Sequence, residues 1–275
     1  MPELPEVETT LRGIRPRLEG RRIDRLLVRE PRLRQPIPPE TAALVAGQTV
    51  GSMSRRSKYL LIGLDRGSLI LHLGMSGSLR VVDAESPPKR HDHVDLALSD
   101  GHCLRFHDPR RFGLLLWSED SPELAGLRHP LLSRLGPEPL DAAFDGGHLY
   151  RLSRQRRVAV KSFLMDAAVV VGIGNIYANE SLFLARIHPA RACHRIGLDR
   201  YGRLVEVVRA VLQASITQGG TTLRDFVKDD GNPGYFAQSL RVYGRAGEPC
   251  VQCGTPLRQQ RIGQRSSFYC PRCQH

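Results

Sequence analysis

Four cysteines near the end of the chain have the spacing of a metal site. Cys250 and Cys253 form one C-x2-C pair and Cys270 and Cys273 a second, with sixteen residues between them. Each pair offers two thiolates to one tetrahedral ion, and the interval suits a short hairpin. Two disulfides are the alternative, which a reducing compartment disfavours. Sulfur at all four positions leaves no ligand site open for metal catalysis, so the expectation is one structural Zn2+ ion. Cys103 and Cys193 read as ordinary thiols. From Arg241 to His275 there are six arginines and one acid, Glu248. A basic zinc hairpin either presents side chains to nucleic acid or simply stabilises a small C-terminal unit.

The other end of the chain reads MPELPEVE, an acidic, proline-marked start on a protein of formal net charge +12. An α-amino group has a reference pKa of about 7.7–8.0, well below that of lysine, so much more of it is neutral at cellular pH. Pro2, once Met1 is removed, is a secondary amine on a rigid ring and a candidate nucleophile. Glu3 beside it could carry a proton; by position alone, partnership with a helix dipole is the better reading. Proline at the N-terminus also serves as a base in tautomerases, which are short chains without such a basic complement.

Gly172-Ile173-Gly174-Asn175 leads into a helical pattern. Free N–H groups at such a start can cradle a phosphate, or the glycines can make only a tight turn. The spacing is not that of a dinucleotide site. An excess of 40 Lys plus Arg over 28 Asp plus Glu points to a polyanion, most often nucleic acid. Arginine supplies nearly all of it, for the lysines are only Lys58, Lys89, Lys161 and Lys228. Each is a candidate for work an always-protonated arginine cannot do, although Lys58 in RRSKY reads by itself as a solvated charge.

These groups need elements to hold them. Pro5 suits the first turn of a helix running to about Leu18. YLLIGLDRGSLILHLG and HVDLALSDGHCLRF read as hairpins around Gly67 and Gly101. Val94, Leu96 and Leu98 alternate with polar neighbours, as in a half-buried strand. Prolines at 122, 130, 137 and 139 mark a connector. Leu204, Val207, Val208, Val211, Leu212 and Ile216 share one helical face. Residues 218–238, rich in glycine and turn formers, suit a loop with short ordered pieces. No apolar run approaches the ~20 residues a membrane span needs, and no signal sequence opens the chain; a cytoplasmic protein is expected.

MPELPEVETT, RRSKYLL, HLGMSGSLR, KRHDHVDL, DPRRFG, GIGNIYANESLF, QGGTTLRDF, GYFAQ and the four-cysteine terminus together resemble bacterial formamidopyrimidine-DNA glycosylases, in order along nearly the whole chain. Leu4 favours that branch over the related endonuclease VIII branch, which more typically begins PEGPE. Ser162 stands where many relatives have proline.

The resemblance implies a multidomain α+β fold. An N-terminal β-sandwich with a leading helix would span 1–118, a linker 119–140, a helix-two-turn-helix domain with a lesion-capping loop 141–238, and a zinc finger 239–275. It implies a bifunctional glycosylase and abasic-site lyase that excises oxidised purines such as 8-oxoguanine from damaged double-stranded DNA. Pro2 would form the Schiff base and Glu3 would assist sugar-ring opening. Lys58 matches the residue credited with β-elimination and Arg265 the one credited with δ-elimination, although an arginine suits a phosphate clamp better than an acid. Met75, Arg110 and Phe112 match the wedge inserted where the target base leaves the stack. His91, Arg110 and Arg156 match DNA-binding positions, with His72, Lys161, Asn175 and Tyr243 as phosphate contacts. A monomer without membrane attachment or an obligate protein partner is expected. An endonuclease VIII-like enzyme for oxidised pyrimidines and a non-cutting lesion binder are the alternatives.

Overall fold

The computed structural model describes residues 2–219 and 240–275. The described residues form two compact units, one built on 2–133 and the other on 134–218 with 240–275. Met1 lies outside the described residues, as does the expected capping loop from residue 220 onward.

The first unit begins with α1 (Leu4–Leu18). Pro5 sits in its first turn, and Leu4, Val7, Leu11, Ile14 and Leu18 make one buried stripe at helical spacing. There follow β1 (Ile23–Val28), α2 (Thr41–Val45), β2 (Val50–Arg56), β3 (Tyr59–Leu64), β4 (Ser68–His72), β5 (Ser78–Asp83), β6 (Asp92–Leu98), β7 (His102–His107) and β8 (Leu114–Ser118). Two four-stranded antiparallel sheets result, ordered β1-β6-β7-β5 and β2-β3-β4-β8. Leu26, Leu79, Val94, Leu96, Leu104 and Phe106 from the first sheet join Val50, Leu60, Ile62, Leu69, Leu71 and Leu115 from the second in one core. The fold is therefore a β-sandwich. Both expected hairpins form, with Gly67 and Gly101 at positive φ in their turns.

One strand departs from its pattern. The alternation in β6 suggests a half-buried strand, yet His93 and Asp95 on its polar face are buried as well. Asp95 accepts bidentate hydrogen bonds from Arg105 (2.9 Å each) and one from Arg29 (2.6 Å). Paired and fully hydrogen-bonded, a charge tolerates burial. Polarity misreads the face because arginine from the neighbouring strands covers it.

The connector region carries α3 (Pro122–Arg128), capped by the Ser121 hydroxyl. The second unit contains α4 (Gly146–Ser153), α5 (Val160–Leu164), α6 (Asn175–Leu184) and α7 (Leu198–Thr217), then a hairpin of β9 (Arg258–Ile262) and β10 (Arg265–Tyr269). The stripe of α7 packs as expected except that Val205 is fully buried and Val207 only flanks the core. Cys103 and Cys193 are both buried.

Candidate functional site

The first residues are held by α1. Pro2 is buried, and Glu3, 3% exposed, is the N-cap of the helix. The Glu3 carboxylate accepts the Glu6 backbone N–H while the Glu3 N–H donates to Glu6 Oε2 at 2.8 Å. This reciprocal capping box satisfies two of the otherwise unpaired donors at a helix start. It also holds the peptide after Pro2 in one orientation.

Lys58 lies in the two-residue turn between β2 and β3, after Ser57, whose φ is +58°. Such a conformation is uncommon for a residue with a Cβ. Arg55 supports it: its Nη1 donates to the Ser57 carbonyl at 2.8 Å and its Nε to Glu8 Oε2 on α1 at 3.0 Å. Although burial opposes it, hydrogen bonds from Arg12 and Arg55 hold the Glu8 carboxyl below its ordinary pKa. The helix that follows the candidate nucleophile is thus tied to the turn that bears Lys58, through Glu8 and Arg55.

His72, at the end of β4, is 8% exposed and packs against Tyr59 with ring centroids 4.8 Å apart and planes tilted by 56°. Burial, then the charges of Lys58 and Arg34, lower its pKa to about 4. The Gly74 N–H donates to His72 Nδ1 at 2.9 Å, so the neutral ring carries its proton on Nε2. Met75 follows in the β4–β5 connection and is half-buried. His91, also half-buried, immediately precedes β6. Arg110 and Phe112 project from the β7–β8 connection; both are exposed, with the Arg110 guanidinium 4.8 Å from the centre of the Phe112 ring. Phe112 is thus not part of the core.

In the second unit α6 is the organising element. Gly174 is its N-cap, and Asn175 opens its first turn. Asn179, one turn on, donates to the Asn175 carbonyl (2.6 Å) and accepts from Phe268 N on β10 (2.7 Å). Glu180, 2% exposed, accepts three successive backbone N–H groups, those of Arg241, Val242 and Tyr243, at 2.9, 3.0 and 2.9 Å. Tyr243 then meets Phe268 edge-on at 5.2 Å. Neither Asn179 nor Glu180 was legible beforehand; polar residues in GIGNIYANES reveal no partner so distant in sequence.

Lys161 differs from expectation. It is 1% exposed, and its ammonium donates to the Ser266 carbonyl (2.8 Å) and the Ser267 hydroxyl (2.7 Å). It tethers β10 to α5 instead of presenting a charge to solvent. The neighbouring Ser162 hydroxyl is so close to the hairpin turn that a Cβ on Gly263 would come within 2.9 Å of it. Gly263 and Gln264 both have positive φ, as a tight two-residue hairpin requires. Arg265, exposed, follows that turn. Arg156 pairs with Asp166 at 2.9 Å, both groups partly exposed.

The sulfurs of Cys250, Cys253, Cys270 and Cys273 all lie within 4.8 Å of one another. Cys250 and Cys273 are 4.0 Å apart and Cys253 and Cys270 3.5 Å. A tetrahedron of Zn–S bonds of about 2.3 Å has edges of about 3.8 Å, so the cluster fits zinc. The Gln252 and Cys273 N–H groups donate to the Cys250 and Cys270 sulfurs, each at 3.4 Å, as thiolates need. Phe183, Val242, Leu257 and Phe268 pack behind the cluster. The chain thus carries a four-cysteine zinc finger able to hold one structural ion.

Three family descriptions match the chain in succession: the formamidopyrimidine-DNA glycosylase N-terminal domain at residues 1–115, the formamidopyrimidine-DNA glycosylase H2TH domain at 135–227, and a zinc finger found in FPG and IleRS at 247–275. Formamidopyrimidine-DNA glycosylase from Methylococcus capsulatus is 60% identical over 274 residues, covering 100% of both chains. That from Pseudomonas aeruginosa is 58% identical with the same coverage. Among solved structures, MutM (Fpg) from Thermus thermophilus superposes with TM-score 0.87 at 38% identity, covering 99% of this chain and 98% of that one. Lactococcus lactis Fpg (MutM) in complex with Fapy-dG-containing DNA gives TM-score 0.90 at 30% identity, covering 99% and 100%.

Proposed function

Because the chain belongs to the formamidopyrimidine-DNA glycosylase family, we propose that it excises oxidised purines from damaged duplex DNA and then cuts the strand at the abasic site. The reading rests above all on the start of α1, where Glu3 caps the helix and fixes the residue that follows the Pro2 amine.

In the reaction, the nitrogen pair of Pro2 attacks C1′ of the damaged nucleotide. The glycosidic bond breaks, and the base leaves with that bonding pair and takes up a proton. Glu3 moves a proton to the sugar-ring oxygen as the ring opens, leaving an iminium at C1′. The iminium draws electrons from C2′, whose proton is lost as the 3′ phosphate departs; Lys58 serves that β-elimination. Loss of the second phosphate by δ-elimination leaves a one-nucleotide gap, with Arg265 holding phosphate at that stage. Zinc would supply no step; held by Cys250, Cys253, Cys270 and Cys273, it would stabilise the hairpin module.

Met75, Arg110 and Phe112 occupy the space from which the base is rotated, Arg110 bonding the orphaned partner. His91 and Arg156 bind the DNA, His72, Asn175 and Tyr243 contact its phosphates, and Lys161 contributes through the hairpin it tethers. Residues 1–118 form the catalytic domain, 119–140 the linker, and 141–238 and 239–275 the helix-two-turn-helix and zinc-finger domains. Its place is the cytoplasm, where bacterial DNA lies; no helix among the described residues is long and apolar enough to cross a membrane.

Borohydride added during turnover on a duplex containing 8-oxoguanine reduces the iminium, and digestion of the trapped product places the DNA on Pro2. Cleavage without any trapped product, by protein shown by mass spectrometry to begin at Pro2, overturns the covalent reading. Faster cleavage of a thymine glycol duplex overturns the purine preference.

A further inference from the structure

Asp108 follows β7 and is completely buried. Its carboxylate faces two loops that belong to other strands. Ser76 Oγ, in the β4–β5 connection, donates to Oδ1 at 2.9 Å, and the Gly113 N–H, just before β8, donates to Oδ2 at 2.7 Å. The backbone of the same residue reaches a third segment: its N–H donates to the His91 carbonyl at 3.0 Å, and its carbonyl accepts from His93 Nε2 at 2.9 Å. That carbonyl also accepts the Arg111 N–H at 3.2 Å, closing the turn that presents Arg110.

The loops have little freedom to move apart or together. Gly74, at φ +66°, lies so close to the Phe112–Gly113 backbone that a Cβ there would collide with it. A Cβ on Gly113 would come within 2.9 Å of Asp108 Oδ2 and 3.0 Å of the His72 carbonyl. Arg111, between the two exposed residues, adopts φ +55°, a conformation retained only where surrounding contacts impose it. Met75 precedes Ser76, Phe112 precedes Gly113, and Arg110 and His91 each lie beside a bond made by Asp108. The four side chains therefore share one buried anchor although they come from three connections.

We infer that Asp108 is a positioning residue for base extrusion: its buried carboxylate and backbone hold Met75, Arg110 and Phe112 as one preformed wedge with His91 in register beside it. This inference rests on the glycosylase reading and deepens it. A wedge must enter the stack as a unit, and a displacement of about 1 Å in a positioned group can cost about 100-fold in rate. Asp108 touches no reacting atom, so its loss acts on extrusion and leaves the Pro2 chemistry in place.

The test separates the two steps. Asp108→Asn keeps the volume but has a single acceptor where Ser76 and Gly113 need two. Two substrates are compared under single turnover: a duplex with 8-oxoguanine opposite cytosine, and a single strand carrying an abasic site, where nothing must be extruded. A 2-aminopurine beside the lesion reports unstacking through its fluorescence. The expected result is a loss of about tenfold or more on the duplex, with the fluorescence rise slowed equally, and a change within about twofold on the single strand. Equal loss on both substrates, or loss on neither, overturns the inference. If Asp108→Asn does not fold, Ser76→Ala removes one arm alone: a loss confined to the duplex supports the inference, and a parallel or absent loss overturns it. Wild-type protein inert on both substrates removes the glycosylase reading itself, and this inference with it.

Discussion

Glu3 caps α1 and carries the proton in the proposed reaction, and a substitution can separate the two tasks. Glutamine keeps an oxygen that can accept the Glu6 N–H, so α1 stays capped; it has no proton to give or take near neutrality. Glu3→Gln is expected to hold its melting temperature and DNA affinity while losing base excision by at least about 100-fold. Equal excision by both proteins would return Glu3 to a purely structural role. His72 makes a different residue-scale prediction. Its pKa is lowered from 6.5 to about 4, by burial first and then by Lys58 and Arg34. Between those values the unfolded chain binds the proton and the folded one does not, so the stability contribution is present above about pH 6.5 and lost as pH falls toward about 4. Melting temperature measured from neutrality down to about pH 5 should fall less steeply in His72→Gln than in the wild type.

At the scale of elements, α1 and α6 carry most of the positioning. The helix of α1 and the proline in its first turn were readable, because the fixed φ of proline suits that position. Its reciprocal cap with Glu6, and the Glu8–Arg55 link to the Lys58 turn, were not, since each depends on a partner's approach in space. In α6 the decisive residue is Glu180, which accepts three backbone donors from 241–243. Glu180→Ala leaves three N–H groups without that acceptor, at roughly 1 kcal/mol or more each. The variant should lose about 3 kcal/mol in chemical denaturation of the second unit, with Glu180→Gln losing less. Unchanged stability would mean that water replaces the carboxylate readily. The strand β6 shows the reverse difficulty: alternation was legible, but burial of its polar face was not, because Arg29 and Arg105 arrive from neighbouring strands.

For the whole molecule, charge and metal set the testable behaviour. With 40 Lys plus Arg against 28 Asp plus Glu, affinity for DNA should fall with salt at a log–log slope of about −0.9 per phosphate neutralised. A flat dependence would contradict a binding surface built on arginine. Zinc holds a hairpin whose core is small, Phe183, Val242, Leu257 and Phe268 around the cysteines, so metal binding and folding of that module are coupled. A strong chelator at mildly elevated temperature is expected to release one Zn2+ per chain and abolish DNA binding, while the β-sandwich, with its separate core, keeps its melting transition.

Composition, spacing and periodicity were enough to identify the zinc finger, the two hairpins and the first and last of the described helices, while the family's motifs were read in order by resemblance. All of these are local or additive properties: they survive in a string of letters because each residue's contribution depends on neighbours a few positions away. Tertiary structure alone revealed that Lys161 points inward to Ser266 and Ser267, that Phe112 is exposed beside Arg110, and that a buried Asp108 joins three separate connections through Ser76, Gly113 and His91. A hydrogen bond requires an approach of about 3 Å between particular atoms, and only the folded chain brings residues distant in sequence that close.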